Sequence, residues 1–188
     1  MRTTTNLPQG YAQKNYVNLS TRTANGISFL LCVGLLALGW RWRGFDALSA
    51  LQRAGIVYYA LFALALVAAL LAFSWLHQLT HAMLLRLCTG VSPLYARKGV
   101  RLFVGTSAYL CRRDAMLVLL LPALAWTAAG TAVCTLTDGL WFWLAMTSLL
   151  ANLGSAADDV YYAACSLRAP KNALIQYRGF AVGIYTEE

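Results

Sequence analysis

Charge is scarce in this chain of 188 residues: only 12% are charged and 60% are hydrophobic. A soluble domain carries roughly twice that charge. At this length the surface-to-volume ratio is too high for a soluble fold to hide so much apolar surface, so lipid must be the solvent for much of it. The polar opening, MRTTTNLPQGYAQKNYVNLSTRTAN, has no apolar h-region, so a secretory signal peptide is not expected. The five cysteines, Cys32, Cys88, Cys111, Cys134 and Cys165, are odd in number and form no CxxC pair. That argues against a disulfide framework and leaves them as small apolar fillers. Glutamate is confined to the last two positions, Glu187 and Glu188. No internal repeat or low-complexity segment is evident.

What the chain does have is four long apolar segments: Ala24 to Trp42, Gly55 to Leu87, Ala115 to Leu136 and Leu140 to Leu167. Each meets the roughly 20 residues needed to cross hydrocarbon, and the longer second and fourth should tilt or protrude. Pro122 in the third is tolerated as a kink where neighbours satisfy the freed carbonyl. The stretch from Thr89 to Arg113 has a different texture, VSPLYARKGVRLFVGTSAYLC, with β-branched and aromatic residues around Lys98-Gly99. It reads as a short hairpin at the membrane surface. The expected fold is therefore an all-α integral membrane protein of about four transmembrane helices, with a small β-hairpin between the second and third. Residues 1–23 form an N-terminal cytoplasmic segment, 24–168 the four-span domain with its loop at 89–113, and 169–188 a C-terminal cytoplasmic tail.

The net charge of +8 does not point to nucleic acid, because the basic residues sit in short stretches between apolar runs rather than in one stripe. Arg2, Lys14 and Arg22 precede the first span, and Arg41, Arg43 and Arg53 follow it. Arg86, Arg97, Lys98, Arg101, Arg112 and Arg113 lie between the second and third, and Arg168, Lys171 and Arg178 follow the fourth. With both termini inside, twelve basic residues are cytoplasmic and three are not, as the positive-inside rule prefers. Trp40, Trp42, Trp141 and Trp143 then fall together at the opposite face, as an interfacial aromatic belt. The loop cluster of Arg97, Lys98, Arg101, Arg112 and Arg113 marks topology; binding of anionic lipid headgroups is the alternative.

The chain has only two histidines, His77 and His81, in LHQLTHAM. On a helix these positions share a face, so both imidazoles can reach one ion; the bland alternative is two polar side chains snorkelling to headgroups. A zinc site needs a third protein ligand. Asp158 and Asp159, in ANLGSAADDVYY, are the only acidic residues inside the apolar segments, and an ionisable group there is by default a functional candidate. His77 lies about 22 residues from the outer start of the second helix, and Asp159 about 19 from that of the fourth. At about 1.5 Å per residue the two arrive within one turn of the same level. Asn152, two turns up the face of Asp159, can donate into the site. Asp158 points roughly 100° away and is the second choice of ligand. The plain alternative for the aspartates is an ion pair with Arg86 or a loop arginine.

The opening LPQGY, the histidine pair, LLLP, NLGSAADDVYYA and the tail PKNALIQYRGFAVGIY together resemble the DUF3267 family of small bacterial membrane proteins, regarded as zinc peptidases of unknown specificity. The site-2 intramembrane proteases are more distantly similar. The resemblance covers nearly the whole chain and implies Zn2+ as cofactor, His77 and His81 as ligands, and Asp159, eleven residues before Pro170, as the aspartate ligand. It also implies a bacterial inner-membrane location.

Two departures matter. The family's HExxH reads HQLTH here, with Gln78 at the catalytic glutamate position, and the glycine before the aspartate is Asp158. In a zincin the glutamate takes a proton from the attacking water and delivers it to the leaving amine; an amide cannot accept that proton. The chain is expected to bind metal and to cleave poorly or not at all, as a natural pseudoprotease or as an engineered substrate trap. Expected partners are the lipid bilayer and a peptide or membrane-protein substrate reaching the site from the cytoplasm, with no nucleic acid. The competing expectation is a non-enzymatic scaffold that holds a partner helix. A haem protein is a weaker alternative, since histidines four apart on one helix cannot ligate opposite faces of one haem. A small transporter is disfavoured by the absence of an inverted repeat.

Overall fold

The computed structural model describes residues 3–18, 21–44, 55–98 and 101–188. Arg2, Arg53 and Gly99, which entered the charge count and the expected turn, lie outside the described residues. Among the described residues the elements run β1 (Tyr11–Val17), α1 (Thr21–Arg43), α2 (Ile56–Thr89), β2 (Leu94–Lys98), β3 (Arg101–Gly105), β4 (Leu110–Cys111), α3 (Arg112–Leu136), α4 (Gly139–Arg168), β5 (Leu174–Tyr177) and β6 (Val182–Glu187). The molecule is mostly helical. Three of its helices, α2, α3 and α4, are long and apolar enough to cross a membrane.

The helices follow directly from the apolar runs and stop where the run stops. Gly90, at φ 69°, closes α2 in the left-handed conformation that glycine adopts without strain, and its N–H returns to the Arg86 carbonyl. The C-terminus of α4 is closed from outside: the Arg112 guanidinium donates to the carbonyls of Leu167, at 2.6 Å, and Ala169, at 3.3 Å. A cation there also complements the helix dipole. The N-terminal half of α2 exposes large apolar side chains such as Ile56, Leu61 and Leu64, a surface suited to hydrocarbon rather than to water. α3 continues through Pro122 without interruption.

The structure corrects the all-α expectation. Besides the two-stranded antiparallel ladder of β2 and β3, it contains a four-stranded sheet in the order β1-β6-β5-β4. That sheet joins the two ends of the chain, with β1 antiparallel to β6 and β6 to β5. β4 has only two residues, and β1 finds its partner β6 at the other end of the sequence. No strand of the sheet carries enough alternation to declare itself in a local window. β5 is buried at every position, LIQY, and so lacks the in-out pattern of a half-exposed strand.

Two apolar cores result. One, around Leu85, Val104, Leu110, Val118, Tyr162, Ile175 and Tyr177, joins the ends of α2, α3 and α4 to the sheet. The other, of Cys134, Phe142, Trp143, Met146, Leu149 and Leu150, lies at the opposite end of the helices. There Arg43 at the end of α1 pairs with Asp138, between α3 and α4, at 2.5 Å.

Candidate metal centre

His77 and His81 stand one turn apart on α2, and both are completely buried. Asp159 comes from α4 and is 3% exposed. His77 Nε2 lies 3.0 Å from Asp159 Oδ2, His81 Nε2 lies 3.1 Å from the same oxygen, and the two Nε2 atoms are 3.1 Å apart. The histidines therefore face protein, not lipid or headgroups, and Asp159 faces them rather than Arg86 or a loop arginine. Asp158 is half-buried and stands outside this three-ligand group.

The second nitrogen of His77 fixes its role. Nδ1 lies 2.9 Å from Asn152 Oδ1; an amide oxygen can only accept, so Nδ1–H donates to it and Nε2 is the nitrogen left for a metal when the ring is neutral. Asn152, also fully buried, is held the right way round from α3: its Nδ2 donates to Thr127 Oγ1 at 3.0 Å and toward the Ala123 carbonyl at 3.5 Å. α2 is fastened beside the site by Trp126 Nε1, which donates to Thr80 Oγ1 at 3.0 Å. Thr80 lies between the two histidines in sequence.

These residues can hold a metal ion, and two imidazoles with a carboxylate are a donor set that zinc accepts. With ligands at about 2.0–2.1 Å from the ion, a tetrahedral site places its donors roughly 3.3 Å apart; the three donor atoms here are 3.0–3.1 Å apart. Two imidazole nitrogens turned on one carboxylate oxygen form a donor set that a divalent cation between them can satisfy. His81 Nδ1 and Gln78 Oε1 are buried without a hydrogen-bond partner among the described residues, each an expense of about 1–3 kcal/mol.

Sequence reasoning missed Tyr177 on β5. Its hydroxyl donates to Asp159 Oδ1 at 3.3 Å, and its ring stacks on His81 with centroids 5.5 Å apart. Burial, followed by the charge of Asp159, pushes the Tyr177 hydroxyl well above the ordinary tyrosine range, so it remains a donor at neutral pH. The only signal available was its place in the tail motif PKNALIQYRGFAVGIY. Thr127 was missed as well, one of many threonines on helix faces.

Two histidines one turn apart on an apolar helix, with a carboxylate from a second helix, define a protein of the zincin type. A family model described as putative zincin peptidase, DUF3267, matches residues 70–174, more than half of the chain, and the chain belongs to that family. The match spans His77, His81 and Asp159 and ends before Tyr177. No curated protein and no solved structure matches the chain.

Proposed function

We propose that this chain is a membrane-embedded, zinc-peptidase-like protein that binds its metal but lacks the group that would move protons in peptide hydrolysis. The observation that carries the reading is the convergence of His77 Nε2, His81 Nε2 and Asp159 Oδ2 within 3.1 Å, buried between two apolar helices. Zinc held by these three would supply Lewis-acid polarisation of a peptide carbonyl and an easily deprotonated water. The protein's own part is positional. Asn152 sets the tautomer of His77, Thr127 sets Asn152, and the burial of all three ligands excludes bulk water. Gln78, directly after His77, offers an amide that can orient a carbonyl or a water by hydrogen bonding but takes up no proton at any relevant pH.

The membrane arrangement belongs to the same proposal. α1 serves as a fourth span, and both termini, with the sheet they form, lie on the cytoplasmic side of a bacterial inner membrane. Residues 24–168 are the membrane domain, flanked by 1–23 and 169–188. The Arg43–Asp138 pair supports this, since it brings the end of α1 to the turn between α3 and α4. The ladder of β2 and β3 lies at the membrane surface, where an extended peptide or an unwound membrane-protein segment can add as a further strand.

Metal analysis of the purified protein tests the centre: about one zinc per chain, lost in His77→Ala and His81→Ala. A near-zero content unchanged by those substitutions would sink the reading. Gln78→Glu then tests the lineage, with metal-dependent proteolysis expected to rise by roughly 10² to 10⁴. Gln78 itself favours a second reading, a scaffold that holds a partner helix in the same groove. A metal-loaded Gln78→Glu protein that stays silent on membrane substrates would select it.

A further inference from the structure

The two oxygens of the Asp159 carboxylate have different surroundings. Oδ2 faces the imidazole nitrogens at 3.0 and 3.1 Å, whereas Oδ1 accepts the Tyr177 hydroxyl at 3.3 Å. Tyr177 is 1% exposed and comes from the C-terminal strand β5, beyond the family match at residues 70–174.

Its placement is rigid. β5 lies between β6 and β4, and the Thr106 N–H donates to the Tyr177 carbonyl at 2.8 Å. The helix that carries Asp159 is tied to the same strand pair one turn further on, where the Tyr162 hydroxyl donates to the Phe180 carbonyl at 2.8 Å. Gly179, at φ +82°, lets this turn press against β3: a Cβ there would stand 2.9 Å from the Val104 carbonyl oxygen. Strand and helix are thus locked together on either side of the carboxylate.

We propose that Tyr177 is a positioning residue that restricts Asp159 to coordination through Oδ2 alone, and so keeps one coordination position open for a substrate carbonyl or water. The inference rests on the metal-centre reading above. A carboxylate can bind a divalent ion through one oxygen or through both. A hydroxyl donating to Oδ1 engages one of that oxygen's two lone pairs and opposes the rotation that would swing it toward the ion. Hydrolytic zinc sites keep three protein ligands and a fourth position for water or substrate; a second carboxylate oxygen would bind beside that position, crowd it and raise the coordination number to five. The ring of Tyr177, stacked on His81, holds that imidazole as well, although the hydroxyl alone governs how Asp159 binds.

Cobalt(II) is the probe, titrated into the full-length wild type and Tyr177→Phe in detergent. The wild type should show the intense visible absorption of four-coordinate cobalt. Tyr177→Phe, which keeps the ring and loses only the hydroxyl, should shift to the weaker spectrum of a five-coordinate site, with affinity about tenfold lower. Tyr177→Leu, which also removes the stacked ring, should lose more. Infrared difference spectra of the wild type alone, zinc-loaded minus metal-free, read the same property without any variant. A wide separation of the two carboxylate stretches reports one bound oxygen, and a narrow one reports two. A narrow separation in the wild type, or an unchanged cobalt spectrum and affinity in Tyr177→Phe, overturns the assignment and leaves the metal centre standing. A wild type that takes up no cobalt overturns the metal centre itself, and the assignment with it.

Discussion

The two ends of the helical bundle are packed by different forces. At the end away from the sheet, contact is mainly apolar, with the Arg43–Asp138 ion pair at its rim: Cys134, Phe142, Trp143, Met146, Leu149 and Leu150 interlock, and Gly39 and Gly130 let helices approach closely. At the sheet end, buried polar side chains fix one another: His77 on Asn152, Asn152 on Thr127, Asp159 on both histidines and on Tyr177. Shape complementarity holds helices together in lipid, but it tolerates small slides. A ligand set does not, and the hydrogen bonds and strands of the sheet end supply the missing precision. The two ends should therefore fail in different ways, the sheet end losing metal and the apolar end losing stability.

The largest effect is expected at Asp159. Asp159→Asn removes the charge that balances the cation and should weaken zinc binding by more than about 100-fold, beyond the roughly 10–100-fold typical of outer partners. Asp158→Asn, a helix step of 100° away from the ligand face, should leave affinity within about threefold. Competitive titration against a zinc chelator measures both. The reverse order of effects would make Asp158 the ligand.

That pair also marks how far the sequence could be read. The apolar runs define the helices to within a few residues, because in lipid a run of apolar side chains and a spanning helix amount to the same requirement. The histidine pair, Asp159 and the face of Asn152 stood out because polar groups are so rare in those runs, but the role of Asn152 did not: it accepts from His77 Nδ1 and spends its donor on Thr127, rather than donating into the site. The four-stranded sheet was not legible. β1, YAQKNYV, is largely exposed and reads as a polar leader, and its partner β6 lies at the other end of the chain. Tyr177 shared that fate, since only the pairing of β5 between β6 and β4 carries it beneath His81.

A smaller loss is expected from Asn152→Leu, which keeps the branched outline of the side chain but deletes the acceptor for His77 Nδ1. The imidazole is then free to take the other tautomer, with a proton on Nε2 where the metal should bind. Zinc affinity should fall roughly 10–100-fold, with the melting temperature little changed. Thr127→Val, which removes only the group that orients Asn152, should produce a weaker version of the same loss. An Asn152→Leu protein with wild-type affinity would show that the tautomer is set by other means.

Gly130→Val probes the apolar end and should leave metal binding nearly untouched. A Cβ at Gly130 would stand 3.0 Å from Leu149 Cδ1 and 3.4 Å from its Cβ, so the leucine's end must yield even to a methyl group. Valine's two further carbons push on the helix itself. Overpacking of this kind costs about 1–3 kcal/mol, readable as a lower midpoint for thermal unfolding in detergent. Zinc affinity should stay within about twofold, because no atom of the ligand network belongs to that cluster. If the substitution also weakened zinc binding tenfold or more, a shift at the apolar end would have to travel along α3 and α4 to Asn152 and Asp159. The bundle would then move as one rigid piece, not as two ends with separate tasks.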